Sequence, residues 1–310
     1  MSPASQAVAV LHGGLGNQLF QLAAALSVTP SFNPEDVRLV SYGSEWGPQH
    51  PDVSHMAGIA IEYPGRLMRS TMPGVAIRES WKDDVSRVLA RFWAKASAIE
   101  YIHQTDPFGR RITPREESKT IVLDGFFQNP EWWLPSWRRV AELIHARRPD
   151  GVDQLQGENR TAIKLRRSDY LGRGIVLSDD YYRNALDRLD IRECQVVVVC
   201  EDSDYLPHFE GLLAERGCWS KMPEPITGNP NVDDFWHLAA ARRQILANSS
   251  YCWWAAAVAE ASVSWEQGMP GGRSEVSTAY PIPWLPNSWS EGSIPEMGIS
   301  SWLAVPAEFS

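Results

Sequence analysis

Two patterns of apolar positions recur along the chain. Ala7-Val8-Ala9-Val10-Leu11 is a short continuous apolar run, a glycine turn follows at Gly13-Gly14, and Leu19, Leu22, Ala23 and Leu26 then recur at i, i+3, i+4 and i+7. This spacing predicts a strand, a tight turn and a helix that begins near Asn17 and lays one apolar stripe against a sheet. Val37-Arg38-Leu39-Val40 supplies the next strand, so the chain opens as a βαβ unit. Residues 43–75 are rich in Gly, Pro and His without a sustained period and predict loop or irregular structure, whereas residues 81–102 are helical in pattern. A further strand over residues 121–128 leads into a Trp-rich segment and a helix over 140–146. The polar break Arg147-Arg148-Pro149-Asp150-Gly151 marks a domain boundary.

The second half alternates strand and helix more regularly. Ala162-Ile163-Lys164-Leu165 is a strand, and Tyr182, Ala185, Leu186 and Leu189 stripe a helix. Val196-Val197-Val198-Val199-Cys200 is continuous and β-branched, as a parallel strand buried on both faces should be. Val232, Phe235, Trp236 and Ala239 stripe another helix, Gln244-Ile245-Leu246-Ala247 is a strand, and residues 250–259 form a third helix. The alternation implies a doubly wound parallel sheet. Beyond Gly268 the chain turns rich in Pro, Gly, Ser and Trp with no period, and is expected to pack back on the body.

A length of 310 residues exceeds the usual limit of a single core. Three segments are therefore expected: an N-terminal α/β domain at 1–150, a C-terminal Rossmann-like domain at 151–268 and the tail at 269–310. The net charge of -9 argues against a general nucleic-acid binder, which needs a basic field to replace phosphate counterions. The start has no basic n-region and no apolar run approaches bilayer length, which predicts a cytoplasmic chain without a membrane span. Cys194, Cys200, Cys218 and Cys252 form no CxxC pair, so no zinc site is expected. The 14 Trp residues are expected mainly in the core, with sugar stacking the less frequent use of any one of them.

Ligands of open α/β sheets bind beyond the carboxyl ends of the strands. Three such ends in the second half carry polar groups: Arg166, Arg167 and Asp169; Glu201, Asp202 and Asp204; Asn248, Ser249 and Ser250. The last set opens a helix, whose N-terminus suits an anion as well as it suits a simple cap. A guanidinium pair on a neighbouring strand end suits phosphate oxygens, although Arg166 and Arg167 can equally form a surface ion pair with Asp169. Gly13, Gly14 and Gly16 only partly match a dinucleotide fingerprint, because Leu19 stands where the third glycine belongs. Their plain role is a tight turn, with Asn17 and Gln18 at the helix start still able to face a ligand. Asp202-Ser203-Asp204 also resembles the DxD triplet of metal-dependent sugar transferases, a rival way to hold a diphosphate.

Four motifs in order carry a family resemblance. His12-Gly13-Gly14-Leu15-Gly16-Asn17-Gln18-Leu19-Phe20-Gln21 resembles the opening motif of the α-1,2-fucosyltransferases, glycosyltransferase family 11, and Leu123-Asp124-Gly125-Phe126-Phe127-Gln128 resembles an internal motif of that family. Lys164-Leu165-Arg166-Arg167-Ser168-Asp169-Tyr170 is similar to its His-x-Arg-Arg-x-Asp-Tyr motif, and Asn248-Ser249-Ser250-Tyr251-Cys252-Trp253-Trp254 to its Asn-Ser-(Ser/Thr)-Phe-Ser-Trp-Trp motif.

The resemblance implies a GT-B-like α/β fold of two Rossmann-like domains with the active site in the cleft between them. It also implies a GDP-β-L-fucose donor on the second domain, inversion without a metal, and transfer to a glycan hydroxyl, the 2-OH of a galactoside. Carried onto this chain, Arg166 meets the β-phosphate, Arg167, Asn248, Ser249 and Ser250 complete the donor contacts, and Asp202 reads the guanine edge. Asn17 is a polar contact near the sugar, and Asp169 is either a base or a group that orients the two arginines. Lys164 departs from the family histidine: it can meet phosphate but cannot accept a hydrogen bond as imidazole does. The rival expectations are a metal-dependent transferase using Asp202 and Asp204, and a non-catalytic GDP- or glycan-binding protein of the same fold. The sequence does not identify the oligomeric state.

Overall fold

The computed structural model of the chain describes residues 6–41, 52–63, 98–115, 118–155, 160–266, 276–290, 293–299 and 301–309. The chain divides into two compact units, Met1–Ile144 and His145–Ser310.

In the first unit, β1 (Gln6–Val10) leads through the glycine turn into α1 (Leu15–Ser27) and then β2 (Val37–Val40). There follow α2 (Asp52–Ala57), β3 (Ile61–Glu62), β4 (Ile99–Gln104), β5 (Thr120–Gly125), α3 (Pro130–Trp133) and α4 (Trp137–His145). The sheet is parallel with order β3-β2-β1-β5-β4, so β1 lies at its centre. Leu19, Leu22, Ala23 and Leu26 are fully buried, as their spacing predicts. α1 is buried nearly all round, with Gln18 and Gln21 also sealed inside. Trp132 and Trp133 are fully buried core residues; truncating a Trp of this kind costs about 3–5 kcal/mol.

In the second unit the elements run β6 (Thr161–Leu165), α5 (Ser168–Leu171), α6 (Asp179–Arg188), β7 (Gln195–Cys200), α7 (Leu206–Ala214) and β8 (Trp219–Lys221). They continue with α8 (Pro230–Ala239), β9 (Arg243–Ile245), α9 (Ser250–Glu266), β10 (Ser277–Ile282) and β11 (Leu303–Pro306). Its parallel sheet has order β11-β10-β9-β6-β7-β8. Counted within the unit this is 3-2-1-4-5-6, the doubly wound dinucleotide-fold order. All five residues of β6 are buried, as a central strand covered on both faces requires. The expected α/β class with two Rossmann-like units is thus present.

Three local expectations are corrected. Residues 99–102, read as the end of a helix, are the start of β4, because Ile99 to Gln104 pair in register with Thr120 to Gly125; residues 81–97 lie outside the described set. Within the segment read as loop, residues 52–57 are helical and 61–62 extend the sheet beside β2. The tail contributes two strands to the second sheet: Ala279 pairs with Ile245, and β11 pairs with β10. Trp253 Nε1 donates to Met297 O at 2.6 Å, which ties the tail to α9.

Candidate functional site

The two strands that leave a Rossmann sheet in opposite directions open a crevice at their carboxyl ends. In the second unit these are β6 and β9, and the residues just beyond them are Arg166-Arg167 and Asn248-Ser249-Ser250. The fold therefore brings the two predicted donor elements onto adjacent strand ends.

Arg166 is two-thirds buried. Its Nη2 lies 2.6 Å from Asp169 Oδ1, its Nη1 lies 3.1 Å from Glu201 Oε1, and its guanidinium sits 5.1 Å from the centroid of the Tyr170 ring. The ion pair with Asp169 is made. It leaves Nε buried and without a hydrogen-bond partner among the described residues. Tyr170 donates its hydroxyl to Asn248 O at 3.2 Å, so Arg166, Tyr170 and the turn after β9 are one connected unit. Burial, foremost, raises the Tyr170 phenol to about 12, and it remains a neutral donor.

Arg167 stacks on Tyr205 with the guanidinium 3.6 Å from the ring centroid, and its Nε lies 3.2 Å from Asp202 Oδ2. Asp202 also accepts from Tyr205 N at 3.2 Å, so its carboxylate is held by two donors on different elements. Asp204 is exposed. Among the described residues, no group of three or more His, Cys, Asp or Glu side chains is arranged to hold a metal ion. A cavity of 330 Å³ opens beside Arg167, lined by Leu177, Ser178, Asp179, Asp180 and Arg183.

Lys164 is the residue whose role the structure alters most. It is 6% exposed, and its Nζ is turned onto Glu201 Oε2 at 2.7 Å. Burial alone would push the Glu201 carboxyl up; the charges of Lys164 and then Arg166 outweigh it and hold the group below the ordinary carboxylate range. Lys164 thus clamps β6 to β7 and sets the acid against which Arg166 is oriented.

Asn248 is buried and donates Nδ2 to Ile175 O at 2.9 Å, while its Oδ1 has no partner among the described residues. Ser249 O accepts from Trp253 N at 3.1 Å, which makes Ser249 the N-cap of α9. The first turn, from Ser250, presents the positive end of a 17-residue helix, buried around Cys252, Trp253 and Trp254. Two guanidinium groups and a helix N-terminus thus stand at neighbouring strand ends, a donor set of the kind that meets phosphate oxygens, with each guanidinium also held by a carboxylate.

In the first unit the opening motif forms the β1–α1 turn. Gly13 has φ +69, and a Cβ there would lie 2.6 Å from Asn17 Nδ2; Gly14 has room, and Gly16 is buried in the first turn of α1. Asn17 is half-buried and accepts from Gln128 Nε2 at 2.8 Å. Gln18, expected to be able to face a ligand, is instead buried, bonding Gly13 O at 2.9 Å and Val53 N at 3.2 Å. Sequence reasoning assigned no role to His12, Asp124 and Tyr101, although the acid ending an apolar run in Leu123-Asp124-Gly125 was a signal for one of them. Among the described residues, no helix is long and apolar enough to cross a membrane.

The class that fold and strand-end chemistry define is a pair of Rossmann-like α/β units, the second with two arginines at its switch point, each held by carboxylates. No family model matches the chain. It is similar to an alpha-1,2-colitosyltransferase of Escherichia coli, at 22% identity over 267 residues that cover 80% of this chain and 86% of that protein. Among solved structures it is similar to a mutant of Arabidopsis thaliana FUT1 in complex with GDP, with TM-score 0.47 and 11% identity over 83% of this chain and 68% of that one. It is also similar to the NodZ alpha-1,6-fucosyltransferase soaked with GDP-fucose, with TM-score 0.44 and 16% identity over 82% of this chain and 92% of that one.

Proposed function

We propose that the chain is an inverting, metal-independent glycosyltransferase of the fucosyltransferase kind. It transfers L-fucose, or a closely related deoxysugar, from a GDP donor to a glycan hydroxyl, the 2-OH of a galactoside. The second unit binds the donor and the first unit the acceptor. The observation that carries this reading is Arg166 at the exit of β6, with its buried Nε uncommitted, joined through Tyr170 to the turn that opens α9.

As the bond between anomeric carbon and phosphate oxygen breaks, negative charge accumulates on the diphosphate. Arg166 and the α9 N-terminus meet that charge with groups already oriented by Asp169, Glu201 and Tyr170, so little reorganisation is required at the moment of reaction. Arg167 and Asp202 flank the nucleotide, with Asp202 accepting from the guanine edge. The acceptor oxygen enters from the opposite face and inverts the anomeric centre. The likeness to a colitosyltransferase makes colitose the related sugar to place beside fucose.

The test is a screen of GDP-fucose and GDP-colitose against β-galactosides, with and without EDTA, followed by linkage determination. Transfer that persists in EDTA and gives an α-1,2 linkage is the expected result. Activity abolished by EDTA and restored by Mn²⁺ would sink the metal-independent reading in favour of Asp202 and Asp204. GDP binding without transfer from any GDP sugar would make the chain a binding protein.

A further inference from the structure

The first sheet has its own switch point. Its strand order leaves β1 toward β2 on one side and places β5 on the other, so the carboxyl ends of β1 and β5 form the crevice where such sheets take ligands. Val10 pairs with Asp124 in register, and the chain leaves β1 through His12. His12 Nε2 lies 2.6 Å from Asp124 Oδ1.

The dyad is built rather than incidental. Asp124 is 5% exposed, and its second oxygen accepts from Tyr101 and lies 3.6 Å from His103 Nδ1, both on β4. Burial works to raise this carboxyl, yet the hydrogen bonds from His103, His12 and Tyr101 prevail and hold it well below the ordinary carboxylate range. Gln21 on α1 fixes the backbone on either side of the pair. Its Oε1 accepts from His12 N at 3.0 Å, and its Nε2 donates to His12 O at 3.3 Å and to Gly125 O at 2.9 Å. An ionised carboxylate only accepts, so a proton sits on Nε2, and in the neutral ring Nδ1 carries the lone pair. The ring is 24% exposed, and no described residue bonds Nδ1.

We infer that His12 is the general base of the transfer, with Asp124 as its positioning residue; this deepens the proposed function and rests on it. The proton of the acceptor hydroxyl passes to His12 Nδ1, and the hydroxyl oxygen's electron pair forms the bond to the anomeric carbon. The bond from that carbon to the diphosphate breaks, and its electron pair leaves on GDP. Asp124 stabilises the imidazolium, which returns its proton to solvent. The other titratable groups facing the dyad are Tyr101 and His103, which bond Asp124 rather than His12.

The experiment measures kcat for glycan transfer against pH, and GDP affinity by calorimetry, for the full chain, His12→Gln and Asp124→Asn. In the wild type, transfer should fall on acidification as the base is protonated. His12→Gln should lose about 100-fold to 10,000-fold in kcat, lose the acid limb of its pH profile, and bind GDP within twofold of wild type. Asp124→Asn should lower kcat and displace the same limb, because an amide no longer fixes the tautomer. A merely structural pair would leave the acid limb in place, whatever the variants lose in thermal stability. Retained kcat and an unchanged limb in His12→Gln would overturn the inference. If both variants fail to fold, a wild-type kcat that is flat between about pH 5 and 8, where imidazole changes charge, overturns it on its own. Failure of the proposed function is distinguishable, since the wild-type chain would then transfer from no GDP sugar at any pH.

Discussion

Replacing Arg166 by Ala separates catalysis from stability. The side chain is 32% exposed and its partners keep other cations: Glu201 retains Lys164 at 2.7 Å, and Asp169 retains Arg173 at 4.0 Å. Partly exposed ion pairs of this kind contribute about 0–1 kcal/mol, so the folded state should lose little. The transition state should lose far more, because a preorganised donor aimed at developing charge is worth about 3–4 kcal/mol. At about 1.4 kcal/mol per tenfold, transfer should slow by several hundredfold. Steady-state transfer from GDP-fucose and a thermal melt read the two effects separately. Arg166→Lys keeps the charge but loses the planar fork, and should recover only part of the rate. A rate within threefold of wild type in Arg166→Ala would refute the assignment. A large drop in Tm would show the residue to be a structural strut instead.

Three further outcomes follow from the geometry. Lys164→Met strips Glu201 of its nearer cation; because Glu201 reaches solvent and keeps Arg166 at 3.1 Å, the loss should be about 1 kcal/mol. The corresponding fall in Tm is roughly 2–4 °C, and an unchanged melt would show that Lys164 does not clamp the strands. Gly13→Ala should destabilise by about 1–2 kcal/mol through its left-handed backbone and displace Asn17, whereas Gly14→Ala, at φ -78 with nothing within 4 Å of a Cβ, should be neutral by denaturant titration. Equal effects at the two glycines would contradict the turn geometry. Because the Asp124 carboxyl is depressed in the folded state, its contribution to stability is full above the ordinary carboxylate range of about 4 and is lost as pH falls through the folded value. Urea titrations from neutral to acid pH should therefore show wild type losing its advantage over Asp124→Asn on acidification. A constant difference between the two would contradict the linkage.

Much of this architecture was legible because the segments concerned are buried on both faces or striped at a helical period. β7 with its run of valines and α1 with Leu19, Leu22, Ala23 and Leu26 are the clearest cases. β10 was not legible: Ser277 to Ile282 owe their extended form to the register with β9, a tertiary pairing that local pattern does not encode. The strand ends located Arg166, Arg167, Asp202 and Ser249, since the rule for open sheets needs only the position where an apolar run stops. It could not foresee that Lys164 turns inward, because alternation within a buried strand hides which polar side chain has a partner next door. His12 was hidden for a related reason: its partner lies 112 residues away along the chain and becomes adjacent only when β1 pairs with β5.

The pairing of the tail with β9 also bears on the order in which the protein can be completed during synthesis. Every described strand of the first sheet has been made by residue 125, so that sheet can assemble from an early portion of the nascent chain. β9 gains its outer neighbour only when residues 277–282 have emerged, and until then it is an open edge. The turn at Asn248 hangs on that edge, so the crevice beyond β6 and β9 acquires its final support among the last steps of translation.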